Sequence, residues 1–275
     1  MPNTDTINKA TTLCVSLAAR PSNIGTRFHN FLYDELGLDF LYKAVAPADI
    51  ESAVAGIRGL RIRGAGVSMP FKEAVIPLLD EVDASAAAIQ SVNTIVNTDG
   101  HLVGYNTDYL AVRTVLAEHR VHTELEFVVL GAGGMAKAIV AALRDSGFRS
   151  GTVVARSGDA ARDLADQYGF DFAPEMGTLT APLLINATPI GMTGSRQEND
   201  LSFDRDRVQR AEVVFDVVAF PSRTPLINLA TEMGKTAISG AEIIALQAAE
   251  QFVLYTGIRP SDDQLRRAAE FSRAA

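Results

Sequence analysis

The chain has 275 residues, 47% of them hydrophobic and 21% charged, with no tryptophan and a formal net charge of −8. That balance suits one or two globular domains, and the acidic excess excludes a protein that holds phosphate backbones with clustered Lys and Arg. The single cysteine, Cys14, excludes an internal disulfide and any cysteine-based metal cluster.

Cys14 lies in the apolar run Leu13–Leu17 and reads as a core residue. The first ten residues hold no apolar signal core, and no apolar run approaches the roughly 20 residues of a membrane span. The expectation is a cytoplasmic protein, monomer or homodimer, with no metal and with neither nucleic acid nor membrane as partner.

The first half alternates strands and helices, which predicts a mostly parallel sheet. Strands are expected over Thr12–Ala18, Phe40–Ala46 and Ile62–Met69, and helices over Gly25–Leu36, Pro47–Ile57 and Phe71–Leu79. Pro47 suits a first helical position. After a short helix over Ala84–Ile89, Val92–Val96 and Leu102–Tyr105 flank Thr98-Asp99-Gly100, which reads as a hairpin on the sheet edge.

Three stretches here carry candidate chemistry. Lys72 follows Val67-Ser68-Met69-Pro70 at the carboxyl end of a strand, where α/β proteins bind ligands; its other reading is a solvated surface lysine. Asn93, in Ser91-Val92-Asn93-Thr94, reads equally as a turn residue or a ligand contact. Asp108, in Gly104-Tyr105-Asn106-Thr107-Asp108, either favours the dipole of the helix Thr107–His119 or works with Lys72.

The second half is organised around Phe127–Ala138, where four apolar residues run into Gly131-Ala132-Gly133-Gly134 and then a helical pattern. Gly131, Gly133 and Ala136 fit the dinucleotide fingerprint: one glycine for the turn, one for pyrophosphate approach, one small residue for helix–strand packing. The next strand, Thr152–Ala155, ends in Arg156 and not in the acid that usually holds an NAD ribose, which favours NADP over NAD.

Further strands are expected at Leu183–Ala187, Val213–Val218 and Lys235–Ile238, with helices at Asp159–Tyr168 and Leu226–Met233. Thr188 reads as a nicotinamide wall or a turn residue, and Gly240 as bare backbone for a nicotinamide or as a turn. The repeated order predicts a doubly wound nucleotide domain. Two closing helices, Ala241–Tyr255 and Asp262–Ser272, are expected to pack back on the first domain, bringing Gln247 near its cleft; the other reading of Gln247 is a solvated helix position.

In this order the motifs resemble the shikimate dehydrogenase family. They are Val67-Ser68-Met69-Pro70-Phe71-Lys72-Glu73, Ser91–Thr94, Gly104–Asp108, Gly131–Gly134, Asn186-Ala187-Thr188-Pro189-Ile190-Gly191-Met192 and Gln247–Phe252 with Tyr255-Thr256-Gly257. The resemblance implies an α/β enzyme of aromatic amino acid biosynthesis, on the chorismate pathway. Residues 1–106 with 241–275 would form a substrate domain, and 107–240 an NADP-binding Rossmann domain.

It further implies reversible hydride transfer between NADP and a polyhydroxy cyclic carboxylate, interconverting 3-dehydroshikimate and shikimate. Lys72 and Asp108 take the catalytic roles. Ser68, Asn93 and Gln247 carry over as substrate contacts, and Gly131, Ala132, Gly133, Gly134, Arg156, Thr188 and Gly240 as cofactor contacts.

The chain also departs from the family pattern. Two serines expected to hold the substrate carboxylate are Asn23 and Gly25, with Arg27 either restoring the pairing or facing solvent. A family tyrosine is Ala219, and the family's Asn-Arg-Thr is Ala155-Arg156-Ser157. These departures keep two alternatives open: a quinate/shikimate dehydrogenase using NAD, or a weakly catalytic nicotinamide-binding regulatory paralogue.

Overall fold

The computed structural model describes residues 7–156 and 158–273. The chain falls into two compact units, one running to Thr107 and resuming at Ala245, the other Asp108–Ile244. In chain order the elements begin with β1 (Thr12–Leu17), α1 (Asn23–Glu35), β2 (Phe40–Val45), α2 (Ile50–Gly59) and β3 (Gly64–Val67). They continue with β4 (Glu81–Val82), α3 (Ala84–Ala87), β5 (Thr94–Thr98), β6 (His101–Tyr105) and α4 (Thr107–Glu118). Next come β7 (Phe127–Leu130), α5 (Gly134–Ser146), β8 (Gly151–Val154), α6 (Gly158–Tyr168), β9 (Asp171–Ala173) and β10 (Leu183–Asn186). Last are α7 (Arg205–Arg210), β11 (Val213–Asp216), α8 (Pro225–Glu232), β12 (Thr236–Ser239), α9 (Gly240–Thr256) and α10 (Asp262–Arg273).

The first unit holds a mixed sheet in the order β2-β1-β3-β5-β6-β4. Side chains alternate across β1, as a pleated strand requires. Val15 and Leu17 join a core with Val54 and Ile57 of α2, whereas Cys14 joins Phe28, Leu32, Phe252, Tyr255 and Ala268 of α1, α9 and α10. The closing helices thus pack on this sheet. Arg63 fastens α9 by donating to the carbonyls of Tyr255 and Asn97 at 3.0 and 2.9 Å, satisfying an acceptor at the helix end. Asn30 supplies the edge strand β2 with a side-chain ladder partner: it donates to the Tyr42 carbonyl at 2.8 Å and accepts from its N–H at 2.9 Å.

The second unit is parallel throughout, in the order β12-β11-β10-β7-β8-β9. β8, β10 and β11 are buried along their whole length, the signature of a sheet covered on both faces. Strand order reverses at β7, and ligands of doubly wound sheets bind outside the carboxyl ends at that point. Among the described residues no helix is long and apolar enough to cross a membrane.

Three local expectations are corrected. Pro47 lies ahead of α2, which starts at the Asp49 cap, whose carboxylate accepts from the Ser52 N–H at 2.7 Å; a side-chain acceptor for an orphan donor sets the helix start. Residues 71–79 form turns and one short 3-10 segment, Ile76–Leu78. Pro77 lacks an N–H and crowds the carbonyl four residues back, so an α-helix cannot run through it. The Asp99-Gly100 turn forms with both residues at positive φ, 52° and 92°, but its hairpin is not at the edge, because β4 pairs outside β6.

Candidate active site

In the first unit the loop after β3 carries Ser68 and Lys72. Ser68 is exposed, its N–H donating to the Leu17 carbonyl at 2.9 Å. Lys72 is half-buried in a turn, and its carbonyl accepts from the Val92 N–H at 2.9 Å, which holds this turn beside the segment that bears Asn93.

Asn93 is buried, with 1% exposure. Its Oδ1 accepts three bonds: from the Thr94 hydroxyl at 2.9 Å, the Thr107 N–H at 2.8 Å and the Thr107 hydroxyl at 3.1 Å. An oxygen so engaged fixes which end of the amide is which. The Nδ2 donor has no partner among the described residues. A buried amide donor left without an acceptor costs free energy, and a ligand oxygen removes that cost.

The remaining expected contacts are spread out. Asn23 is exposed at the first residue of α1, Gly25 is half-buried two residues further near the Tyr42 ring, and Gln247 is half-buried on α9. Arg27 shows a role that neither of its sequence readings included. Its guanidinium stacks over the Phe271 ring, 4.5 Å from the centroid, and its Nε donates to the Phe271 carbonyl at 3.1 Å, tying α1 to α10.

In the second unit, Gly131, Ala132, Arg156 and Thr188 line one cavity of about 800 Å³, together with Glu175 and Gln197. The glycines define how a dinucleotide fits it. Gly131 has φ +119°, and a β-carbon there would sit 2.8 Å from the Ala187 carbonyl oxygen. Gly133 caps α5, and a β-carbon on Gly133 or Gly134 would meet nothing within 4 Å. Open space over bare backbone at the start of a 13-residue helix suits a pyrophosphate, which the free N–H groups and the helix dipole favour. Arg156 is exposed at the end of β8, on the wall that would face the adenosine ribose. Ser157 lies outside the described residues.

Thr188 spends its hydroxyl on Asn186 Oδ1, at 2.6 Å, so it shapes the loop after β10. Gly240 has a packing reason to lack a side chain: a β-carbon would fall 2.3 Å from the Val217 carbonyl oxygen. Asp108 is buried in the first turn of α4 and opens the second unit.

Sequence reasoning missed two residues. Asp216 is fully buried and accepts from Asn186 Nδ2 at 2.9 Å, the Val218 N–H at 3.1 Å and the Thr224 hydroxyl at 2.6 Å, joining the loops after β10 and β11. Burial pushes its carboxyl up from the usual range, against those hydrogen bonds. Gln251 is buried and donates to the Asn93 carbonyl at 3.2 Å and the Thr94 hydroxyl at 3.0 Å. A polar side chain on a broadly apolar helix was the available signal for Gln251.

Residues 23–95 match the model of the shikimate dehydrogenase substrate binding domain. A shikimate dehydrogenase-like protein of Haemophilus influenzae is 51% identical over 97% of this chain and 98% of its own. Shikimate 5-dehydrogenase of Thermus thermophilus, solved with NADP(H) and shikimate, superposes with a TM-score of 0.83 at 28% identity, covering 95% of this chain and 99% of that one. A quinate dehydrogenase from Corynebacterium glutamicum, solved with NAD, superposes with a TM-score of 0.84 at 26% identity, covering 95% and 98%. The chain belongs to the shikimate dehydrogenase family.

Proposed function

We propose that this protein is an NADP-dependent oxidoreductase that interconverts 3-dehydroshikimate and shikimate, or a close polyhydroxy cyclic carboxylate. The observation that carries the reading is the cavity beside the Gly131 turn, with Arg156 on its wall and Ala155 where an NAD site places an acid. A guanidinium pairs with a 2′-phosphate and cannot accept a ribose hydroxyl proton. The Thermus relative, solved with NADP(H) and shikimate, supports the same pairing of ligands.

In this reading Gly131, Ala132, Gly133 and Gly134 hold the pyrophosphate, with Thr188 and Gly240 shaping the nicotinamide end. NADP held there would supply the hydride chemistry, taking hydride from the carbinol carbon or returning it. Lys72 takes the hydroxyl proton as the alcohol becomes a ketone and gives it back in reduction. Asp108 is assigned as the acid–base partner of Lys72. The Asn93 Nδ2 donor binds a ring oxygen, with Ser68 and Gln247 as further substrate contacts and Asn23 at the carboxylate.

Initial rates with shikimate and with quinate, each against NADP and NAD, test this. The expected result is NADP reduction with shikimate, with NADP preferred. Absence of reduction with every pair overturns the reading. Glu175 on the cavity wall favours a second one, because a carboxylate accepts hydrogen bonds from a free ribose diol. NAD-linked oxidation of quinate in the same assay would establish it.

A further inference from the structure

We propose that Gln251 is a positioning residue that sets the direction of the Asn93 amide through Thr94. The inference rests on the reading of Asn93 as a substrate contact and adds to it a reason why that amide cannot flip.

The Thr94 hydroxyl has one proton and accepts a bond from Gln251 Nε2 at 3.0 Å. Its own proton goes to Asn93 Oδ1, 2.9 Å away. The other Nε2 proton goes to the Asn93 carbonyl at 3.2 Å, where the Val67 N–H also donates at 2.7 Å. Gln251 therefore touches Asn93 twice, directly at its backbone and through Thr94 at its side chain. Both threonine and glutamine are buried, so water does not substitute for either.

The space for this contact is built into β3. A β-carbon on Gly66 would lie 2.8 Å from the Tyr42 hydroxyl and 3.5 Å from Gln251 Nε2, so the bare backbone of the strand makes room for both side chains. Lost donation from Gln251 loosens the Thr94 hydroxyl, and the Asn93 amide, left with its two Thr107 bonds, is held less firmly with Nδ2 toward the substrate. The consequence falls on binding: a contact made equally in the ground and transition states changes KM and leaves kcat alone.

The test uses the full-length protein with NADP and shikimate. Gln251→Met keeps the shape and removes the donors; Thr94→Val removes the relay hydroxyl, and Thr94→Ser keeps it. Gln251→Met and Thr94→Val are expected to raise the KM for shikimate about tenfold, with kcat within about twofold. Thr94→Ser is expected to match the parent. The double variant Gln251→Met with Thr94→Val is expected to be no worse than either single one, since both act on one amide. Circular dichroism melting accompanies each variant, and the Thr94 pair decides if Gln251→Met does not fold. Unchanged KM in Gln251→Met, with raised KM in Asn93→Ala, overturns the Gln251 role alone. Unchanged KM in Asn93→Ala overturns the substrate reading of Asn93 and this inference with it.

Discussion

Thr107 holds Asn93 twice, through its backbone N–H at 2.8 Å and its hydroxyl at 3.1 Å, both to Asn93 Oδ1. The first residue of α4 thus orients an amide on the segment before β5, and Nδ2 is the end left to bind. Asn93→Ala removes that donor and also strips the buried Thr107 N–H of its acceptor. The expected outcome is a raised KM together with a stability loss of roughly 1–3 kcal/mol, read by urea unfolding.

Two glycines of the fingerprint separate folding from cofactor binding. Gly131→Ala forces a side chain onto φ +119° and into the Ala187 carbonyl, so it lowers both the melting temperature and the affinity for NADP. Gly133→Ala has an ordinary φ of −79° and open space around the new methyl, so the melting temperature stays at the parent value. The affinity for NADP still falls, because the methyl takes the place of the pyrophosphate. Calorimetric titration with NADP and a thermal melt check both.

Arg156→Ala tests the cofactor choice. Charge-assisted hydrogen bonds are worth roughly 1.5–3 kcal/mol, so the KM for NADP should rise about 10–100-fold. The KM for NAD should stay unchanged. Equal effects on both cofactors would remove the 2′-phosphate from the argument.

His29 predicts acid sensitivity of the fold. It is fully buried against the Tyr42 ring, 4.3 Å between centroids, with the Gln251 side chain beside it. Burial lowers its pKa from 6.5 to about 3. The unfolded chain then binds the proton more readily than the folded one. Stability is fully present above about pH 6.5 and is lost as pH falls toward 3. The loss is on the order of 4 kcal/mol. His29→Phe keeps the ring stack and removes this titration, so urea midpoints between pH 7 and 4 should fall less steeply than in the parent.

What the sequence made legible was local. Strand, glycine turn and helix at Phe127–Ala138 are read from adjacent residues, and the Asp99-Gly100 hairpin turn from two. Pro77, which stops the helix expected over Phe71–Leu79, was visible in the sequence too. The Asn93 network was not legible, because Thr107 and Gln251 reach it from 14 and 158 residues away. The packing of Arg27 on Phe271, 244 residues distant, was hidden for the same reason. Gly240 shows the limit of reading a glycine alone: bare backbone for a ligand and close approach to Val217 leave the same mark in a sequence.

The central claim is that Lys72 moves the proton while hydride passes to NADP. Single-turnover oxidation of shikimate by Lys72→Ala, with NADP saturating, tests it most directly. Acid–base catalysis is worth at least about 100-fold, so the rate should fall by that factor while NADP binding holds. A variant that turns over at the parent rate would contradict the account.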